Sequence, residues 1–172
     1  MKTMTLTLLV ALALVGCSDG DTAFQSTSEP SSSGSTASRW LRTCVFELAR
    51  NQPSEVRWFN GIGANDVEFI PGNNVVEDIL ERCQSMCPLA DADIAFCRSW
   101  LKERICEILA ITPGTPRAQV DESLLENGGI STPAAAIYSH RDCIVLKVRV
   151  EFDKNNKVKA MSTPYLGLFI AD

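Results

Sequence analysis

"CIVLKVRVEF", residues 143–152, is the stretch on which the fold turns. Ile144, Leu146, Val148, Val150 and Phe152 alternate with Val145, Lys147, Arg149 and Glu151. Successive side chains of a strand point to opposite faces, so one face here is apolar and the other mostly charged. That pattern predicts an antiparallel sheet covered on one side only. Ala134–Tyr138 precedes it across a turn at His140-Arg141-Asp142. Asp153-Lys154-Asn155-Asn156-Lys157 follows as a second turn, and Val158–Ser162 returns as a third strand.

Upstream, Thr115 offers a capping hydroxyl ahead of Pro116 at a first helical position. Val120, Leu124 and Leu125 supply a buried stripe, and Gly128-Gly129 stops the helix. Residues 111–172 therefore read as a helix followed by a three-stranded antiparallel sheet. The apolar run Tyr165, Leu166, Leu168, Phe169 and Ile170 reads as a core strand rather than a partner groove.

Residues 39–110 read as a cysteine-laced helical region. "SRWLRTCVFELARN" carries Leu41, Val45, Leu48 and Ala49 at helical spacing. Val75, Val76, Ile79, Leu80, Cys83, Met86 and Cys87 share a second helical face, which Pro88 ends. Asp91 is placed to cap a third helix with Ile94, Cys97, Leu101, Ile105 and Ile108 on one stripe. Between the first two helices, Val56–Phe59 and Val67–Ile70 flank a glycine loop, a hairpin or an extended loop. Gly61-x-Gly63 lacks the third glycine and following helix of a dinucleotide site, so it reads as a turn. The whole is α+β: a disulfide-linked helical N-terminal half, then a helix and three strands.

At the start of the chain, Met1-Lys2 leads into an uncharged run from Thr3 to Val15. A basic start, a short apolar stretch and a small residue before the break form a secretion signal. The run is too short for a comfortable membrane span, which takes ~20 residues. Leu14-Val15-Gly16-Cys17 resembles the lipobox of bacterial lipoproteins. The resemblance implies cleavage before Cys17, a diacylglyceryl group on its thiol, acylation (palmitate) of the new amino terminus, and Ser18 directing release to the outer membrane. Residues 17–38 are then a lipidated tether, too poor in large apolar groups to offset their ordering entropy and hence expected to be disordered. The tether's reach is ~25 Å, which keeps the folded part beside its membrane.

Setting Cys17 aside leaves six of the seven cysteines: Cys44, Cys83, Cys87, Cys97, Cys106 and Cys143. An even number in an exported chain implies disulfides. Cys83-x3-Cys87 has a zinc-like spacing, but a second matching pair is missing and the chain has one histidine. Two antiparallel helices turning near Ala90 would set Cys83 opposite Cys97. Cys106, half a rotation from Cys97, points off that seam toward Cys44 or Cys143, and Cys106–Cys143 with Cys44–Cys87 is the favoured completion.

A second resemblance concerns the last third. "Ile111-Thr-Pro-Gly114-Thr115-Pro116-Arg117-Ala-Gln-Val120" is similar to the opening of small outer-membrane lipoproteins of the β-barrel assembly machinery. Those share a helix-then-sheet core and a lipobox. Tyr138, Cys143, Lys147-Val148, Val150-Glu151-Phe152, Ser162 and Pro164-Tyr165-Leu166 also resemble a pattern in uncharacterised bacterial exported proteins. In the first family's motif a methionine stands where this chain has Thr115, Pro116 intrudes, and the cysteine-rich half has no counterpart.

Sixteen basic against twenty-one acidic residues, with no basic stripe, argue against nucleic-acid binding. His140-Arg141-Asp142-Cys143 is the one place where a base, an acid and a nucleophile meet in sequence. Neighbours at a strand start point in different directions, however, and the parity argument assigns Cys143 to a disulfide. Asp91 and Asp93 suit the positive end of a helix better than a metal. No catalytic residue, metal or cofactor is expected. The leading expectation is an outer-membrane lipoprotein of the bacterial envelope, facing the periplasm or the surface, with a structural or protein-binding role and an envelope protein as partner. A secreted inhibitor or ligand-sensing module comes second, and a cysteine hydrolase using His140 and Cys143 last.

Overall fold

In the computed structural model, which describes residues 32–51, 56–58, 65–127 and 131–170, Cys143–Phe152 is the middle strand of one antiparallel sheet. The described residues form helices α1 (Ser32–Asn51), α2 (Val75–Met86), α3 (Asp91–Leu109) and α4 (Arg117–Ser123). The strands are β1 (Val56–Trp58), β2 (Asn65–Phe69), β3 (Leu124–Glu126), β4 (Ala135–His140), β5 (Cys143–Phe152), β6 (Val158–Met161) and β7 (Tyr165–Ile170). Their order across the sheet is β1-β2-β7-β5-β4-β3, with β6 also paired to β5.

The fold is α+β, but the sheet among the described residues has seven strands instead of three. The expected three are β4, β5 and β6. The C-terminal apolar run adds β7, Leu124–Glu126 adds β3 beside β4, and the hairpin of the cysteine-rich half adds β1 and β2, because β2 pairs with β7 from Asn65↔Ile170 to Phe69↔Leu166. One sheet thus runs through both sequence segments. Hydrophobic patterning marks most of these strands, though not β3, and carries no information on which strand each will lie beside.

Strands β6 and β7 occupy the same side of β5, one after the other. Val150 faces Met161, while Leu146 faces Leu166, a shift of one residue. Ser162 absorbs the shift. Its N–H donates to the Arg149 carbonyl at 2.9 Å, and its Oγ accepts from the Arg149 N–H at 3.0 Å. A side chain here replaces the missing backbone acceptor.

All four described helices lie on one face of this sheet. Leu146, Val148, Val150, Phe152, Tyr138 and Leu166 turn inward and share a core with Leu41, Val45 and Leu48 of α1, Ile79 and Leu80 of α2, Leu101, Ile105 and Ile108 of α3, and Val120 of α4. Each helix contributes residues three or four apart, the spacing that builds one apolar stripe. On α2 and α3 the buried positions are among those the periodicity marks, with Trp100 added on α3.

Helix α1 begins seven residues earlier than its apolar period implies. It takes in Ser32–Ser38, which composition alone assigns to the tether. Tertiary contact overrides composition there: Ala37 is fully buried, Ser38 hydrogen-bonds Cys143, and Gly34 leaves room for the Trp100 indole, which an added Cβ would approach to 3.2 Å.

Three helix ends also differ from expectation or refine it. The cap of α3 is Ala90, without a side-chain bond, and Asp91 and Asp93 sit in the first turn. Pro116 is itself the cap of α4, while Thr115 Oγ1 accepts from the Thr112 N–H within the preceding turn. Helix α4 stops at Ser123, before Gly128-Gly129, because Leu124–Glu126 pairs with β4. The Arg141 guanidinium fixes that exit by donating to the carbonyls of Asp121, Glu122 and Leu124. Gly61-x-Gly63 and Gly128-Gly129 lie outside the described residues.

The β5–β6 turn is built as its sequence suggests. Asp153 Oδ1 accepts from the N–H groups of Asn155 and Lys157, and Asn156 takes the left-handed backbone at φ 56°. Those two bonds hold the Asp153 carboxyl below its ordinary range.

Candidate functional site

The cysteines come first because the expected chemistry runs through them. Cys44 of α1 and Cys83 of α2 form the disulfide, with Cα atoms 5.2 Å apart. The expected Cys83–Cys97 and Cys44–Cys87 pairs are therefore not made. Helix α1 packs against both α2 and α3 as well as the sheet, and Cys83 meets Cys44 of α1 instead of Cys97 across the hairpin seam. Nor is Cys106–Cys143 made, because Cys143 is a thiol. Cys87 and Cys97 are thiols as well. With Cys83 committed to the disulfide, the Cys83-x3-Cys87 pair is not available to a metal. Among the described residues no group of three or more His, Cys, Asp or Glu side chains is arranged to hold one.

His140, Asp142 and Cys143 are brought together at the β4–β5 turn, in an arrangement that disarms the thiol. Cys143 has no exposed surface, and its burial pushes the thiol up to about 11. Hydrogen bonds from the Leu146 and Val145 backbone and from Ser38 oppose that rise only in part. At neutral pH such a group is an uncharged SH, whereas the nucleophile would be the thiolate.

The imidazole is equally committed. Its Nδ1 accepts from the Asp142 N–H at 3.0 Å, which places the ring proton on Nε2. Nε2 in turn donates to Glu107 Oε2 at 2.5 Å. The single lone pair that a general base would use is occupied by the backbone.

Around Glu107 the cluster continues along α3. Arg104 pairs with Glu107 one turn on, with Glu103 at 3.2 Å, and with Asp142 across the turn at 3.6 Å. Its guanidinium also lies over the Trp100 ring, 5.6 Å from the centroid. This set joins the end of α3 to the β4–β5 turn through charge and hydrogen bonds. Arg104 and Glu107, three apart in "KERICEIL", are the partners that sequence reasoning missed. Their spacing marks a helix-surface ion pair, but nothing local shows that His140, 33 residues on, will join them.

On the same helical face, Tyr138 donates from its hydroxyl to Asp121 Oδ1 of α4 at 2.6 Å, and its ring meets Phe152 edge-on. Burial and the carboxylate beside it raise the phenol well above its ordinary range. Arg117 stacks over Phe152 at 4.7 Å and bonds Glu126 at 3.0 Å. These contacts dock the short α4 onto the sheet.

No protein-family description, curated protein or solved structure matches the chain. Two clefts line the described surface. A cleft of about 210 Å³ lies beside Pro133, Ala134, Phe152 and Asp153, and one of about 190 Å³ lies between α2 and α3 beside Leu80 and Ile94. Both fall below the ~300 Å³ at which small-molecule pockets begin. Cys17 lies outside the described residues. Among the described residues no helix is long and apolar enough to cross a membrane.

Proposed function

We propose that this chain is an exported bacterial lipoprotein, anchored to the outer membrane through Cys17, whose folded unit binds an envelope protein without catalysing a reaction. The observation that carries this reading is the uncharged run Thr3–Val15 ending in Leu14-Val15-Gly16-Cys17. The Cys44–Cys83 disulfide supports it, because such bonds persist in oxidising compartments. The non-catalytic half of the reading rests on His140 and Cys143, whose reactive atoms are engaged inside the fold. Proteins of the β-barrel assembly machinery are the first partner class to test, on the resemblance around Ile111–Val120. A secreted inhibitor or ligand-sensing module is the second reading.

Mass spectrometry of the N-terminus from membranes tests the anchor. A triacylated peptide beginning at Cys17 is expected, and an unmodified chain starting elsewhere would refute it. Crosslinking in native membranes tests the partner: recovery of barrel-assembly proteins supports the first reading, and recovery of a soluble enzyme supports the second.

A further inference from the structure

Beside the Cys44–Cys83 bond stands a third cysteine that the fold keeps as a thiol. Cys87 is one helical turn beyond Cys83, and its N–H donates to the Cys83 carbonyl at 2.8 Å. Trp40, one turn before Cys44 on α1, donates from Nε1 to the Cys87 carbonyl at 2.7 Å. Cys87 therefore lies along the α1–α2 seam, one turn past the disulfide. That turn advances ~6 Å along α2. Taken at a right angle to the 5.2 Å Cα separation of Cys44 and Cys83, it sets the Cys87 Cα ~8 Å from that of Cys44. A disulfide closes at Cα separations up to about 6.8 Å. Cys87 has the freedom to cover the difference, because it has left helical backbone, with φ −135° and ψ 80°, and Pro88 follows.

Exposure separates the three. Cys44 and Cys83 are fully buried, whereas Cys87 is half-buried. A thiol arriving from solution meets Cys87 and not the bond.

We propose that Cys87 opens the buried bond by intramolecular exchange, carrying the staple from Cys44–Cys83 to a Cys44–Cys87 bond that an external thiol can reduce. The Cys87 thiolate attacks Cys44 Sγ in line with the existing bond. The Cys44–Cys87 bond forms as the Cys44–Cys83 bond breaks, and Cys83 leaves as a thiolate that takes up the proton Cys87 gave to solvent. One disulfide and one thiol stand on each side of this step, so it consumes no oxidant or reductant. Attack at Cys44 keeps α1 tied to α2. Attack at Cys83 would form a bond within α2 and forfeit the closure of the loop to α1. Burial and then Glu47 raise the Cys87 thiol, so its thiolate is scarce near neutral pH and the exchange is slow. The exchange needs neither lipid at Cys17 nor a partner.

Disulfide mapping of the full chain, purified without reductant, tests this. After incubation at about pH 8, acid quenching and alkylation with N-ethylmaleimide, a Cys44–Cys87 peptide is expected in about 1–10 % of molecules beside the Cys44–Cys83 peptide. Dithiothreitol under native conditions should open the bond roughly tenfold more slowly in C87S than in the wild type. C97A, which removes a different thiol, should be reduced no more slowly than the wild type. Absence of the Cys44–Cys87 peptide from the wild type would overturn the proposal, as would a Cys83–Cys87 or Cys97 linkage in its place. So would equal rates of reduction in C87S and the wild type, or a C97A slowed as much as C87S.

Discussion

Reducing the Cys44–Cys83 bond should cost this fold about 4 kcal/mol, and the figure follows from where the bond sits. The two cysteines are 39 residues apart in sequence, and the loop between them holds β1, β2 and most of α2. Closing a loop of that length removes about 13 cal/mol/K of entropy from the unfolded chain, or about 4 kcal/mol at 25 °C. Both residues are fully buried, so reduction changes the native packing little. Urea unfolding of the soluble domain, followed by tryptophan fluorescence with and without reductant, measures the effect. At a slope of about 2 kcal/mol/M, the midpoint should fall by about 2 M with the slope near constant. In the C44A/C83A variant, reductant should shift nothing. A midpoint that moves by less than 0.5 M on reduction, taking the same slope as the ~2 kcal/mol/M used here, would refute the assignment of this bond to this loop. So would an equal shift in the double variant, which would put the stabilising bond among Cys87, Cys97, Cys106 and Cys143.

Other outcomes follow from the β4–β5 turn and its neighbours. Cys143 is raised from an ordinary value of 9.0 to about 11 in the fold. Its contribution is therefore full below pH 9 and is lost as pH climbs toward 11, on the order of 2 kcal/mol. Cys143→Ser should lessen the loss across that window and leave the alkaline losses due to Cys97, Cys87 and Tyr138, which burial also raises. His140→Ala should cost about 2 kcal/mol in urea unfolding by emptying a buried site and removing the bonds to Glu107 and the Asp142 N–H, whereas Glu107→Gln, which keeps an acceptor for Nε2, should cost under about 1 kcal/mol. Arg141→Ala should speed amide exchange across Leu124–Glu126 roughly fivefold, since its guanidinium ties that strand to the end of α4.

Local pattern made much of this molecule legible. The alternation from Leu146 to Phe152 identifies the central strand and its core face, but Ile144 is exposed while Val145 and Lys147, expected on a solvent face, are buried. The stripes on α2 and α3 mark most of the residues that become buried. Pro88 and the Asp153–Asn156 turn act where their chemistry says they should. What escaped is non-local. Leu124–Glu126 has a helix-compatible pattern, and only its ladder with β4 makes it a strand. The Cys44–Cys83 pair depends on where α1 lies, which helical spacing within α2 and α3 does not encode. His140 looks like half of a catalytic pair when read beside Cys143 in sequence. It becomes a fastener once Glu107 arrives from a different element.

The position of β7 governs the order in which this protein can be completed. As the last strand in chain order, it lies between β2 and β5, so the hairpin of the first half reaches the rest of the sheet only through it. Until Tyr165–Ile170 are available, β2 has no second neighbour and the pairings of highest sequence separation cannot form. Such long-range closure is slow relative to helix formation. A chain emerging N-terminus first would thus be stapled by its disulfide while its sheet was still in two pieces. Shortening it by six residues at 165–170 would cut the sheet through its interior, a far greater loss than trimming an edge.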